Sequence, residues 1–545
     1  MNRALAFVAP LAALLLGGAA PAAPTARDAT ADDRVRAHVE FLADDLLEGR
    51  ATGERGHAIA AAYVSSQFRA LGLQPGGEGG SWYQQVPFRR ATHARAPTIQ
   101  LIERGKPAAL AQGAEIAVAP SHLQKVRSIN SGLVFVGYGL SDARLGLDDY
   151  AGLDVRGKTV VAFSGMPSGL PTEIAAHLSS TKPQVAAAKG AIGFIDIGVR
   201  AGQGSRPDRL QRFTRSPLVD WVDAAGRSGS TPPGLQFNAA VSPALAERLF
   251  AGAARSLAQV RAEAERGGAR PRGFALAPRL AIEATSEWQD FTSPAVIALL
   301  PGADRALARE HVALMGHLDH LGLKKDAKPG EDAVYNGALD NAAGIATLIE
   351  AARHFVASGR KPRRSLLFMA HTGEELGLLG ADYYAAHPTV PIENIVAGVN
   401  LDMPLPLYDI ADVIAFGAEH STVVRNVEQA AREMGMKVSP DPMPEQSIFV
   451  RSDHYRFVTR GVPAILLFTG YANGGKAKWD HFFATTYHSV RDDLSQPINW
   501  RAAARYAELN YRIARALADA DRRPYWYRGN YFGDTFAPGQ PRADR

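Results

Sequence analysis

Three short runs in this chain are almost wholly apolar: VALM (312–315), SLLFMA (365–370) and IVAGVNL (395–401), with only Ser365 and Asn400 polar. Runs of that length without polar alternation are expected of strands covered on both faces. Between and after them, apolar residues recur at helical spacing in AAGIATLIEAARHFVA (342–357), STVVRNVEQAAREMG (421–435) and WRAAARYAELNYRIARALAD (500–519). Strands alternating with helices predict an α/β fold: a mainly parallel mixed sheet covered by helices on both faces. Ligands of such sheets gather outside the carboxyl ends of the strands. There the sequence places His, Asp and Glu, in GHLDHLG (316–322), HTGEELGLLG (371–380) and NLDMP (400–404), with YNGALDNAAG (335–344) between them.

The pattern divides the rest of the chain. Residues 1–22 join Arg3 to an apolar run through Leu16 and then small residues, the form of a cleaved secretory signal and too short for a membrane span. Val35, Val39, Leu42 and Leu46 predict one helix, and Ala60, Val64, Phe68 and Leu71 a second. The turn-rich LEGRATGERG joins them. The two helices followed by GLQPGGEGGSWYQQVPF suggest a docking segment that leads into the first strand, with a helical cap without chemistry as the favoured reading. Together 23–111 form the amino-terminal part of the main domain. Short β-prone runs such as LVFVGYG (133–139), TVVAFSG (159–165) and AIGFIDI (191–197) mark 112–283 as an inserted, mostly β domain. Pro and Gly near 266–273 signal its exit, and 284–521 resumes the main domain. The aromatic, Gly- and Pro-bearing tail 522–545 is expected to pack as an irregular segment.

Composition narrows the classes. With 545 residues, 46% hydrophobic and 21% charged, the chain has the make-up of a multidomain globular protein. A net charge of +5 with Arg dispersed along the chain argues against a nucleic-acid partner. The absence of Cys excludes disulfides, thiolate metal sites, a Cys nucleophile and a lipid-anchoring Cys. Beyond the leader no stretch approaches a membrane helix in length, so stable membrane insertion of the mature chain is not expected. A periplasmic or secreted location follows from the leader pattern.

The strand-end residues suit a divalent metal, since imidazole nitrogen and carboxylate oxygen are zinc donors. His317 and Asp319 flank Leu318 and point to one side of a strand end, so His317 can bind metal while Asp319 orients its other nitrogen. Asp340 precedes a small-residue helix start, where a plain helix cap is the competing reading. Asp402 ends a buried strand, where an unpaired carboxylate would be costly unless a metal relieves it. Glu374 and Glu375, adjacent at a turn, can divide metal binding and proton handling. His488 in TTYHSVRDD lies in a loop with Asp492 as its expected orienting partner.

Taken in order, HLDHLG, ALDNAAG, TGEELGLLG, NLDM, RSDHYRF followed by GVPA, and YHSVRDD resemble the co-catalytic di-zinc aminopeptidase and glutamate carboxypeptidase family, which includes the catalytically silent transferrin receptor. HVEFLADDLLEGRATGERG and FVGYGLSDARLGLDDYAGLDVRGK are similar to bacterial members with an inserted protease-associated domain. The resemblance implies that Asp340 bridges two Zn2+ ions, one completed by His317 and Asp402 and the other by Glu375 and His488. It implies Glu374 as general base and acid for a water shared by the metals, with Asp319 in support. Ala343, where Ser is common, and Arg456 depart from the pattern without removing a ligand. Tyr487, Tyr455 and His454 are further candidate hydrogen-bond donors, with SDHY open to a purely structural reading.

The expected function is an exported zinc exopeptidase acting on peptides, an aminopeptidase before a carboxypeptidase. Arg451 and Arg456 near the rim bear on that choice. A receptor-like binding protein would have lost ligands. A single-zinc glutaminyl cyclase differs in metal count. The chain has neither a G-x-S-x-G elbow nor an H-E-x-x-H helix. The insertion reads as a lid beside the cleft, and oligomeric state is not encoded in these patterns.

Overall fold

The computed structural model describes residues 29–200, 210–211, 214 and 217–545; the expected leader lies outside them. Four strands form a parallel centre in the order Ser365–His371, His311–His317, Ile395–Asn400 and Ala464–Thr469. Every residue of all four is buried, as continuous apolar runs demand. Antiparallel strands flank them: Asp412–Phe416 beside Ala464–Thr469, and the end of Phe274–Leu300 beside Ser365–His371. Ala343–Ala357, Trp500–Asp519 and Ala31–Leu42 pack together on the sheet, and His454–Val458 and Leu379–Ala386 pack on one another beside it. The fold is the α/β arrangement that the hydrophobic pattern predicts.

A second sheet carries its own core, built around Phe135, Phe163, Phe250 and Leu280. Thr159–Phe163, Gly193–Ile197 and Phe237–Val241 run parallel within it. The two sheets share one strand, Phe274–Leu300, which continues for 27 residues. Its first half pairs with Val126–Phe135 and Thr98–Glu103, its middle with Tyr83–His93. The boundaries expected at 112 and 283 therefore shift. Thr98–Glu103 and Lys106–Ala109 already belong to the second sheet, because Ile99 and Leu101 bury one face of a strand only six residues long. No break follows 283, because inward residues at period two, Leu280, Ile282 and Ala284, carry the strand straight through.

Two smaller expectations also change. The first helix ends at Leu42, and Leu46, grouped with its apolar stripe, is 81% exposed. The tail is ordered: Asn530 caps a helix at Tyr531–Phe536, and the buried Trp526 donates to the Gly461 carbonyl at 3.0 Å. The insertion is tied to the main domain through Thr172–Ser180. There His177 Nδ1 meets the Tyr455 hydroxyl at 2.7 Å, and Glu173 accepts from His420 Nε2 at 2.9 Å.

Glu350, on the inner side of Ala343–Ala357, accepts from Arg34 Nε at 2.9 Å and Arg353 Nε at 2.8 Å, with His38 at 3.5 Å. Burial alone would raise its carboxyl, but hydrogen bonds from His38, Arg353 and Arg34 outweigh burial and hold it at about 2 against an ordinary 4.5. A depressed folded value means that the ionised pair stabilises fully above pH 4.5 and is lost as pH falls towards 2. Glu350→Gln should cost about 3 kcal/mol at neutral pH, the usual loss on breaking a buried pair. In thermal melts from pH 6 down to about 2.5 the wild type should lose its advantage over the variant; a constant gap would place the stabilisation elsewhere.

Candidate metal centre

His317 ends its strand, and Asp402 lies two residues beyond the end of the neighbouring one, so the parallel register brings them to one edge. His317 Nε2 lies 3.1 Å from Asp340 Oδ1 and 3.1 Å from Asp402 Oδ1. His488 Nε2 lies 3.3 Å from Asp340 Oδ2 and 3.2 Å from Glu375 Oε2. The five expected ligands thus converge as two sets sharing Asp340, one oxygen turned to each. Two donors at zinc bond lengths on a tetrahedral ion stand about 3.3 Å apart, so these separations match its edges.

The loop that carries Asp340 is held from several directions. Asn341 Nδ2 donates to the Leu401 carbonyl at 2.9 Å, and its Oδ1 accepts from Met403 N at 3.2 Å. Gly344 follows because a Cβ there would lie 2.1 Å from both Asn341 Oδ1 and the Leu401 oxygen. Asp492, expected to orient His488, instead accepts the backbone N–H groups of Leu339 and Asp340, both at 2.9 Å. A buried carboxylate takes its charge-assisted hydrogen bonds from the nearest N–H groups, and here the Asp340 loop supplies them.

Asp319 also changes role. His317 Nδ1 lies 3.0 Å from the Asp319 main-chain carbonyl, to which it donates, so Nε2 is the nitrogen turned towards a metal. The Asp319 carboxylate turns to the facing loop, where it accepts from Thr52 Oγ1 at 2.9 Å, Glu374 N at 3.2 Å and Glu375 N at 3.4 Å. It positions the glutamate pair rather than the imidazole.

Several supporting residues carry no expectation from sequence. His320 Nδ1–H donates to Glu375 Oε1 at 2.6 Å, opposite the oxygen that faces His488. Ser452 donates to Asp402 Oδ2 at 2.6 Å and accepts from Asn400 at 2.6 Å, which gives the SDHY motif a place in holding a ligand. Arg50, fully buried, donates to the carbonyls of Leu318, Asn336, Gly337 and Leu42. It is turned inward by three successive left-handed residues, Glu48, Gly49 and Arg50, with φ of 50°, 67° and 52°. The LEGRATGERG connection, read from sequence as a turn between two helices, therefore carries a residue that supports the site.

The electrostatics call for added positive charge. Burial disfavours a charged His317, yet Asp402, Glu374 and Asp340 more than offset it and raise the imidazole well above its ordinary value. His488 rises to about 10 against the pull of burial, through its hydrogen bonds to Asp340 and Glu375. Burial, with Asp402, Glu375 and Asp453 nearby, drives Glu374 well upward. Burial likewise lifts Asp453 to about 8, with Asp319 and Asp402 adding to it. Carboxylates packed this closely are expected where a cation sits among them.

Glu374, Asp340 and Asp402 line a pocket of about 40 Å³ closed by Met403, Ile448, Phe468 and Phe483. Tyr487 lines it too, its ring stacked on His488 at 3.8 Å, and Arg451 and Ser452 complete it. Arg456 does not reach it, since its guanidinium donates to the Gly377 carbonyl at 3.1 Å. Tyr455 points to the insertion, and His454 is buried against Phe449.

Residues 295–514 match the profile of Peptidase family M28. A probable zinc metalloprotease of Leptosphaeria maculans is 27% identical over 220 residues, covering 34% of this chain and 50% of that protein. A probable leucine aminopeptidase 2 of Aspergillus oryzae is 26% identical over 226 residues, 38% of this chain and 42% of that one. Among solved structures, an aminopeptidase from Aneurinibacillus sp. strain AM-1 aligns with a TM-score of 0.48 and 20% identity, covering 90% of this chain and 94% of the other. The chain spans half or less of the length of the curated relatives it matches first. The match begins inside Phe274–Leu300 and takes in all five candidate ligands, leaving the other strands of the second sheet outside.

Proposed function

We propose that the protein is a two-zinc aminopeptidase that removes one residue at a time from the amino end of peptides. The observation that carries this reading is the small pocket beside the ligands, where the carboxyl groups of Glu374, Asp340 and Asp402 stand among His317, His488, Ser452, Tyr487 and Arg451, against an apolar wall of Met403, Ile448, Leu466, Phe468 and Phe483. Carboxylates attract a free ammonium and repel a free carboxylate. The 40 Å³ volume holds about three waters, which suits a small apolar terminal side chain. Relatives described as a zinc metalloprotease and a leucine aminopeptidase support the same reading. A receptor-like role would be accompanied by missing ligands, and each ligand position is filled.

His317, Asp340 and Asp402 would hold one ion, and His488, Glu375 and Asp340 the other. When bound, zinc supplies Lewis acidity that polarises the peptide carbonyl and acidifies water. Glu374, placed between the two sets with no protein hydrogen bond to its carboxylate among the described residues, takes the proton from the attacking water and passes it to the departing amine. The Tyr487 hydroxyl, facing the same pocket, donates to the carbonyl oxygen as negative charge grows there. Among the described residues no helix is long and apolar enough to cross a membrane. Export is part of the proposal on the strength of the pattern in residues 1–22 alone.

The carboxypeptidase alternative rests on Arg451 at the pocket wall. Hydrolysis of Ala-, Leu- and Phe-initiated tetrapeptides, each free and N-acetylated, separates the two. Free Ala peptides should be cut fastest and acetylated ones not at all. Trimming of acetylated peptides from the carboxyl end would replace this reading with the alternative.

A further inference from the structure

A second cavity, of about 520 Å³, starts at Glu375 and His320 and shares no residue with the 40 Å³ pocket. The metal ligands therefore separate a small space from one within the size range of ligand sites. An enzyme that cuts after a single residue needs that asymmetry, with little room on one side of the cut and room for the remaining chain on the other. The cavity is walled by Phe291 of the long shared strand, by Leu323 and Leu376, and by Val219 of Leu218–Trp221, an edge strand that the insertion adds to the main sheet.

Two of these side chains are exposed in a way that folding does not require. Leu323 is 48% and Leu376 38% exposed, and both face this one cavity. Single exposed leucines need no explanation, but two on one wall beside a metal ligand make an apolar contact surface. The charged residues around it balance: Glu48 and Glu54 against Arg90 and Lys325, with Arg90 lying 3.8 Å from Glu54 and over the Phe291 ring. The rim gives no preference for one sign of charge, so selection falls to the apolar wall.

We infer that this cavity receives the residues that follow the cut bond, and that it selects peptides with an apolar residue in second position. The inference rests on the aminopeptidase reading and adds the substrate class. The insertion takes part through Val219, so it shapes specificity rather than only covering the cleft. An apolar side chain buried there should be favoured over glycine by about 10- to 100-fold in kcat/KM.

The test uses the full zinc-loaded chain with Ala-Leu-Gly-Gly and Ala-Gly-Gly-Gly, comparing wild type, Leu323→Ser and Val219→Ser. Wild type should prefer the leucine peptide at least tenfold, mainly through KM. Each variant should cut that ratio at least threefold, chiefly by raising KM for Ala-Leu-Gly-Gly. A wild-type ratio near one, or a ratio untouched in both folded variants, overturns the inference and leaves the aminopeptidase reading standing. Failure to release alanine from either peptide overturns both.

Discussion

Glu374→Gln is expected to lower kcat by about 10³-fold while the zinc content per chain stays unchanged, because a positioned proton carrier is worth roughly that much. The two halves of this result test different things. Glutamine keeps the size of the side chain and leaves the five donors from His317, Asp340, Glu375, Asp402 and His488 in place. What it removes is the group that accepts and returns a proton. Geometry alone offers a rival assignment, since His317, Glu374 and Glu375 also come close enough together to hold an ion. The hydrogen bonds decide between the two glutamates. Glu375 has one oxygen fixed by His320 and the other 3.2 Å from His488, whereas Glu374, among the described residues, is held through its backbone alone, its N–H on Asp319 and its carbonyl accepting from Gly377 and Leu378. A ligand needs fixed oxygens, and a proton carrier needs one that can swing between water and the departing amine. Metal analysis and steady-state kinetics on one preparation read both. A variant that has lost one zinc along with its activity would move Glu374 into the ligand set and leave the proton step without a carrier.

The main sheet was legible because its four central strands are apolar between their end residues, and burial on both faces explains such runs. The candidate ligands were legible for the complementary reason: they interrupt those runs with groups whose burial is costly. The residues that hold the candidate ligands in place were not, because their contacts join distant positions. Arg50 donates to the carbonyl of Leu318, 268 positions away, and Thr52 to Asp319, 267 away. Nothing near Arg50 in sequence marks it as buried, and arginine is rarely buried without a visible partner. Asp319 and Asp492 misled in another way. Each stands close in sequence to a histidine, which suggested an imidazole partner. In the fold each carboxylate meets pairs of backbone N–H groups, from Glu374 and Glu375 in one case and Leu339 and Asp340 in the other. The boundary of the second sheet was missed because a strand of 27 residues, shared by two cores, lies far outside the usual strand length.

Asp340→Asn should bring the largest loss after the proton carrier: at least one zinc lost per chain, and kcat/KM reduced by about 10³-fold or more, since transition-state charge stabilisation by metal is worth several kcal/mol. Asp340 is the one candidate ligand with an oxygen towards each histidine, 3.1 Å from His317 and 3.3 Å from His488. An amide offers a single acceptor and no charge, so it cannot serve two ions at once. Asp492→Asn provides the comparison. It leaves every ligand in place and weakens only the hold on the Leu339 and Asp340 N–H groups, a supporting contact of the kind worth about 10- to 100-fold in metal affinity. Zinc titrations on both variants should therefore rank Asp340→Asn well below Asp492→Asn, with the second recovering full occupancy at raised zinc and the first not. Equal losses would mean that the shape of the 338–342 loop, and not the two oxygens of Asp340, holds the ions together, and the bridging assignment would fall with that result.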